Sequence, residues 1–180
     1  LKHSGLAGDI LEKTAKSWCG LLTAIFLLGW ATGGFIFGIL GDRLGRTRTM
    51  MITILIYACF TGLNGLVTEI HWYAVCRFLT ALGVGGEFAA GASLVAEVWP
   101  NRSRPMALGA LQALSAIGNM GAAVITLALS SMGWQVVYFV GASPALVVLW
   151  IRASVKEPER WKEAKASSTQ EELGKISDLL

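Results

Sequence analysis

Arg77 and Glu87 are the two charges within residues 73–96, a stretch that is otherwise apolar or small. Ionisable groups inside an apolar helix are expensive and mark a functional site by default. A carboxyl there can carry a proton, because it is neutral when protonated, and a guanidinium can hold an acid. Ten residues place the two about 15 Å apart along a helix and on different faces. They cannot pair with each other, so each needs a partner elsewhere. Arg77 lies only a few residues inside the stretch, so snorkelling to the surface is the alternative reading. Gln112 and Asn119 are seven residues apart and share a helical face. Such an amide pair suits hydroxyls or a carboxylate on a solute, or hydrogen bonding between helices. There is no HExxH, no aspartate pair and no Ser–His pair in a catalytic pattern, so no enzymatic centre, metal or cofactor is expected.

A second set of chemistry-bearing residues runs Gly38-Ile39-Leu40-Gly41-Asp42-Arg43-Leu44-Gly45-Arg46-Thr47-Arg48. Gly38 and Gly41 would let helices approach closely at the end of a span. Asp42 at a membrane edge calls for a cationic or helix-terminal partner. Gly45 permits a tight turn, and Arg43, Arg46 and Arg48 hold the loop on the cytoplasmic side. Glu97 and Arg104 flank Val98-Trp99-Pro100-Asn101-Arg102-Ser103. They are candidates for an ionic network with Asp42 and Arg43, or else an exposed pair worth less than about 1 kcal/mol.

These residues need helices in a bilayer to position them. Charged residues are 15% of the chain, against about 25% in a soluble domain. None falls in residues 18–41, 49–68 or 105–151. One span needs about 20 apolar residues, so the first two gaps fit one span each and the third fits two. The expectation is an all-α, polytopic transmembrane bundle with spans at 18–40, 50–67, 73–98, 106–129 and 134–151. Residues 130–133, Ser-Ser-Met-Gly, separate the last two. Trp18, Trp72, Trp99, Trp134 and Trp150 sit at or near span ends, where indole is favoured, while Trp30 is mid-span and packs.

Loop charge sets orientation. The loops after the first and third spans carry arginines, those after the second and fourth carry no Lys or Arg, and the segment after the fifth is basic. The basic ends are therefore cytoplasmic. Residues 1–17 form a polar outer segment whose Lys2, Lys13 and Lys16 weaken the pattern slightly, and residues 153–180 form a charged cytoplasmic linker. A polar outer start without a signal sequence suggests a preceding helix. Cys19, Cys59 and Cys76 lie in apolar stretches and are expected to pack as small hydrophobes. The formal net charge of +3 resides in loops and argues for topology rather than nucleic-acid binding. Asn101-Arg102-Ser103 fits a glycosylation sequon but falls on the cytoplasmic side in this topology.

The Gly38–Arg48 segment resembles the loop between helices two and three of the major facilitator superfamily, G-x-x-x-D-R-x-G-R-[RK]-[RK], departing only at Thr47. In that family the loop latches two halves of a transporter in the outward-facing state. The resemblance implies that residues 18–152 are helices two to six of a six-helix half. Helix one and the carboxy-terminal half would be absent partners. Arg77 through Glu87, R-x-x-x-x-x-G-x-G-G-E, looks like helix four of the sugar, sialate and metabolite–proton symporter branches. There the arginine is linked to proton coupling, often through an acid on helix one, and Glu87 would face the central cavity. Glu97 to Arg104 resembles the family's E-x-x-P-x-x-x-R element. Residues 157–161, Glu-Pro-Glu-Arg-Trp, are similar to P-E-S-P-R-W at the end of the first half in sugar porters. The implied function is proton-coupled transport of a small organic acid or sugar across the plasma membrane. A non-transporting interaction half is the alternative.

Overall fold

A computed structural model describes residues 2–143 and 145–154, and side chains within them from residue 11 onward except at 149 and 151–153. Among the described residues six helices follow in order: α1 (Lys2–Leu44), α2 (Arg46–Asn64), α3 (Ile70–Val98), α4 (Arg104–Ala128), α5 (Trp134–Gly141) and α6 (Ala145–Ser154), with one 3₁₀ turn at Ser130–Met132. The architecture is all-α.

The helices extend and divide the expected spans for local reasons. The polar segment before Trp18 is not separate, because α1 runs through it. Its residues are mostly good helix formers, and Glu12 pairs with Lys16 one turn on at 2.7 Å. The membrane-competent part, Leu11–Leu44, is 34 residues. At 1.5 Å per residue that is about 51 Å, more than a hydrocarbon core of about 30 Å, so its polar end stands clear of the lipid. Ile70–Val98 and Arg104–Ala128 are also long and apolar enough to cross. The fifth expected span is instead two short helices. The chain tightens between them into three-residue hydrogen bonds, Ser143 N to Val140 O (3.0 Å) and Leu146 N to Ser143 O (3.0 Å). The sequence places a proline at 144, which disfavours helix at the residue before it.

α3 is the centre of the bundle, with α1 against one side and α2 against another. Small side chains make this possible. A methyl at Gly33 of α1 would land on the Leu82 backbone of α3, and one at Gly85 of α3 would land on the Trp30 carbonyl of α1. On the other side, a methyl at Gly83 would lie 2.7 Å from the Tyr57 amide nitrogen of α2. The backbones therefore touch, as in membrane bundles built on small residues. The small-residue face ends sooner than Gly91, which meets nothing within 4 Å. Asn64 is buried between α2 and α3 and donates Nδ2 to the Phe60 carbonyl (2.8 Å) and the Thr80 hydroxyl (3.2 Å). No residue of α4 is buried. Leu114, Ile117, Met120, Val124 and Leu127 leave an apolar surface open along it.

Candidate functional site

α1 and α2 meet across the single residue Gly45. Its φ of 106° and ψ of 146° lie where side-chain-bearing residues are strained. Gly45 N donates to Gly41 O at 3.1 Å, and Thr49 N donates back to Gly45 O at 3.1 Å, so the turn closes on both helices. Gly45→Ala should lower stability by about 1–3 kcal/mol through backbone strain, read as a drop in melting temperature.

This turn delivers Arg46 into an ionic clamp. Its Nη2 lies 2.5 Å from Asp42 Oδ1, its Nε donates to Glu97 Oε1 at 2.8 Å, and its Nη1 donates to the Gly38 carbonyl at 3.4 Å. One largely buried guanidinium thus ties α1, α2 and α3 together at the arginine-rich end. The expected network changes in three respects. Arg46, rather than Arg43, joins Asp42 to Glu97, because four residues place it one turn beyond Asp42. Arg104 stays local, its Nη2 donating to Asn101 Oδ1 at 2.8 Å. Gly38 meets no neighbouring helix and serves through its carbonyl, whereas Gly41 leaves room for the Arg46 side chain. Arg43 lies in the last turn of α1 and Arg48 in the first turn of α2, both exposed, and each has an interaction partner.

Arg77 occupies the opposite end. Its guanidinium lies over the Phe26 ring of α1, 4.9 Å from the centroid. One turn before it, Tyr73 shares a hydroxyl–hydroxyl hydrogen bond of 2.5 Å with Tyr138 of α5. Tyr138 is also braced edge-on by Trp134, with centroids 5.9 Å apart. Nearby, Trp18 of α1 meets His71 of α3 edge-on at 6.1 Å. No carboxylate pairs with Arg77 among the described residues. Tyr73 and Tyr138 were not among the residues singled out from sequence, although the four-residue step from Tyr73 to Arg77 was visible there.

Glu87 is not brought to Arg77. Ten residues rotate it by about 80° around α3. It sits one turn beyond Gly83, on the side packed against α2 and Tyr57. Arg77 and Glu87 thus lie on different faces of α3, and the Gly83–Tyr57 contact sets the rotation of the helix. Glu87 makes no hydrogen bond or ion pair among the described residues. Gln112 and Asn119 are exposed on α4, and neither bonds to another helix among the described residues. The three cysteines are free thiols, and no metal-competent cluster occurs among the described residues.

Long apolar helices packed through small residues, with an ionic clamp at one end, define an α-helical integral membrane protein. The chain belongs to the Major Facilitator Superfamily, whose family model matches residues 10–180. It is 37% identical over 146 residues to the sialic acid transporter NanX of Escherichia coli (strain K12), covering 81% of this chain and 36% of the relative. It is 34% identical over 160 residues to the cis,cis-muconate transport protein of Acinetobacter baylyi (strain ADP1), covering 88% of this chain and 39% of the relative. Among solved structures, the proton:xylose symporter XylE of E. coli superposes with a TM-score of 0.77 at 19% identity, over 91% of this chain and 39% of that one. That likeness concerns the fold. The chain thus spans roughly two fifths of the length of these relatives.

Proposed function

We propose that this chain forms helices two to six of the amino-terminal half of a proton-coupled carrier for a small organic acid. It would sit in the plasma membrane with its arginine-rich end in the cytoplasm and work by alternating access against a second half. The observation that carries this reading is Arg77, an intramembrane guanidinium with aromatic neighbours and no carboxylate partner among the described residues. The named solutes of two relatives, sialic acid and cis,cis-muconate, are acids. The open surface of α4, with Gln112 and Asn119 on it, supports the need for further helices. The Asp42–Arg46–Glu97 clamp is the conformational latch, and Glu87 is the proton carrier.

A chimera carrying this chain in place of the matched region of NanX tests the proposal. In proteoliposomes an inward proton gradient should drive sialic acid uptake. Glu87→Gln should lower gradient-driven uptake by on the order of tenfold or more while leaving solute exchange intact, since exchange needs no net proton movement. Undiminished gradient-driven uptake in Glu87→Gln would remove Glu87 from the coupling step.

A further inference from the structure

We propose that Phe26 is a positioning residue for Arg77: its ring on α1 holds the guanidinium of α3 inside the apolar zone, at a depth fixed by the close approach of the two helices at Gly29. The inference rests on the carrier reading above for what the held charge does, while the contact itself is independent of that reading. Gly29 and Gly33 of α1 meet the Phe78 and Leu82 carbonyls of α3, so a step of four residues on α1 matches a step of four on α3 in the same direction. The two helices therefore run parallel and in register. A methyl at Gly29 would lie 2.5 Å from the Phe78 carbonyl oxygen and 3.0 Å from Ala81 Cβ, so glycine is what lets α1 come this near. Phe26 precedes Gly29 by three residues, and Arg77 precedes Phe78 by one. Helix side chains lean toward the amino-terminal end of their own helix, which in a parallel pair is the same end for both. Phe26 and Arg77 accordingly meet on that side of the glycine contact. Arg77 Cζ lies 4.9 Å from the ring centroid, inside the range of about 6 Å in which a ring face attracts a cation.

The contact fixes the depth of the charge. An arginine seven residues into α3, about 10 Å from its start, would by default snorkel to the nearer membrane surface. That end of the helix pair is marked by Trp18 of α1 against His71 of α3. Phe26 lies eight residues further along α1, about 12 Å deeper. A guanidinium over Phe26 is therefore held below that rim. Arginine stacks on a ring face and still makes hydrogen bonds through its N–H groups. The contact thus coexists with any carboxylate that answers Arg77, whether it belongs to a solute or to another helix. Attraction between opposite charges falls with distance and is strong only where water is scarce. A guanidinium free to retreat to the rim would lose most of its pull on an anion at the level of Phe26. Both residues are half-buried, so the ring acts on a partly desolvated cation, where its attraction exceeds that at an exposed site.

Phenylalanine carrying one, two or three ring fluorines keeps the shape of residue 26 and removes the negative potential of its face in steps. Melting temperatures of this chain in lipid nanodiscs should step down with fluorine number, by about 2–4 °C at three fluorines. They should stay level in the Arg77→Met background. In the NanX chimera, gradient-driven sialic acid uptake below saturation should fall in the same steps, by about tenfold at three fluorines. Phe26→Tyr, which keeps a ring face, should retain uptake, and Phe26→Leu, which keeps only apolar bulk, should lose as much as the trifluorinated ring. Level melting temperatures with Arg77 in place, or equal steps in the Arg77→Met background, would overturn the contact. Uptake that stays level while the melting temperature steps down would reduce the ring to packing and overturn the positioning role, with the carrier reading intact. If the unsubstituted chimera takes up no sialic acid in a gradient, the carrier reading fails, and steps in melting temperature confined to Arg77 still assign Phe26 to holding the charge.

Discussion

Gly33→Ala and Gly85→Ala should each unfold the bundle more readily than any loop substitution, although each adds one methyl group. At both positions the new carbon meets a backbone carbonyl of the opposing helix, Leu82 for one and Trp30 for the other. A backbone cannot turn aside as a side chain can, so α1 and α3 must separate along their length. Overpacking of this kind costs about 1–3 kcal/mol where neighbours can yield, and the upper end applies here. The higher helix propensity of alanine, about 1 kcal/mol, offsets only part of it. Gly91→Ala supplies the contrast, because nothing lies within 4 Å of its new methyl. It should raise stability slightly through propensity alone. Melting curves in one detergent read all three. Equal melting temperatures for Gly33→Ala and Gly91→Ala would mean that α1 and α3 do not approach as described.

Much of this architecture was legible in the residue order, because lipid imposes a strong filter on charge. The uncharged runs located the helices, and the turn residues located Gly45 and the 130–133 break. The need of Asp42 for a cation was also visible, since an unpaired carboxylate at the bilayer edge is costly. Hydropathy does not report how far each helix is rotated about its axis. That rotation is set by which glycines touch which carbonyls. It decides that Arg46 rather than Arg104 meets Glu97, and that Glu87 turns toward Tyr57. The Tyr73–Tyr138 bond joins residues 65 positions apart, beyond any local pattern. The division of the fifth span did have a local signal in the proline at 144, which a count of apolar residues passes over. The helical extension of α1 was obscured for the opposite reason. Polar residues end an apolar span, yet helix formers among them continue the helix past the lipid at little cost.

Arg46→Ala should cause the largest loss at the arginine-rich end, and the size of the loss depends on what it leaves behind. The Arg46 side chain is 13% exposed, that of Glu97 is 22% exposed, and that of Asp42 is 38% exposed. Removing the guanidinium strands Glu97, whose Oε2 is already buried without a partner among the described residues. Breaking a buried ion pair costs about 3–5 kcal/mol, and the partial exposure of Asp42 places the expected value near the lower bound. Asp42 can recover water, so the penalty should come mainly from Glu97. Glu97→Gln in the Arg46→Ala background should then restore a large part of the lost stability, because a neutral amide tolerates the site. Asp42→Asn in the same background should restore little. The cycle separates a clamp that stabilises the fold from charges that are merely neighbours. Additive losses in the double variants would show that Arg46 and Glu97 act independently, and the clamp could not then join α2 to α3. Recovery through Glu97→Gln alone would assign the coupling to that pair, and would leave the Asp42 contact as a tether within the α1–α2 turn.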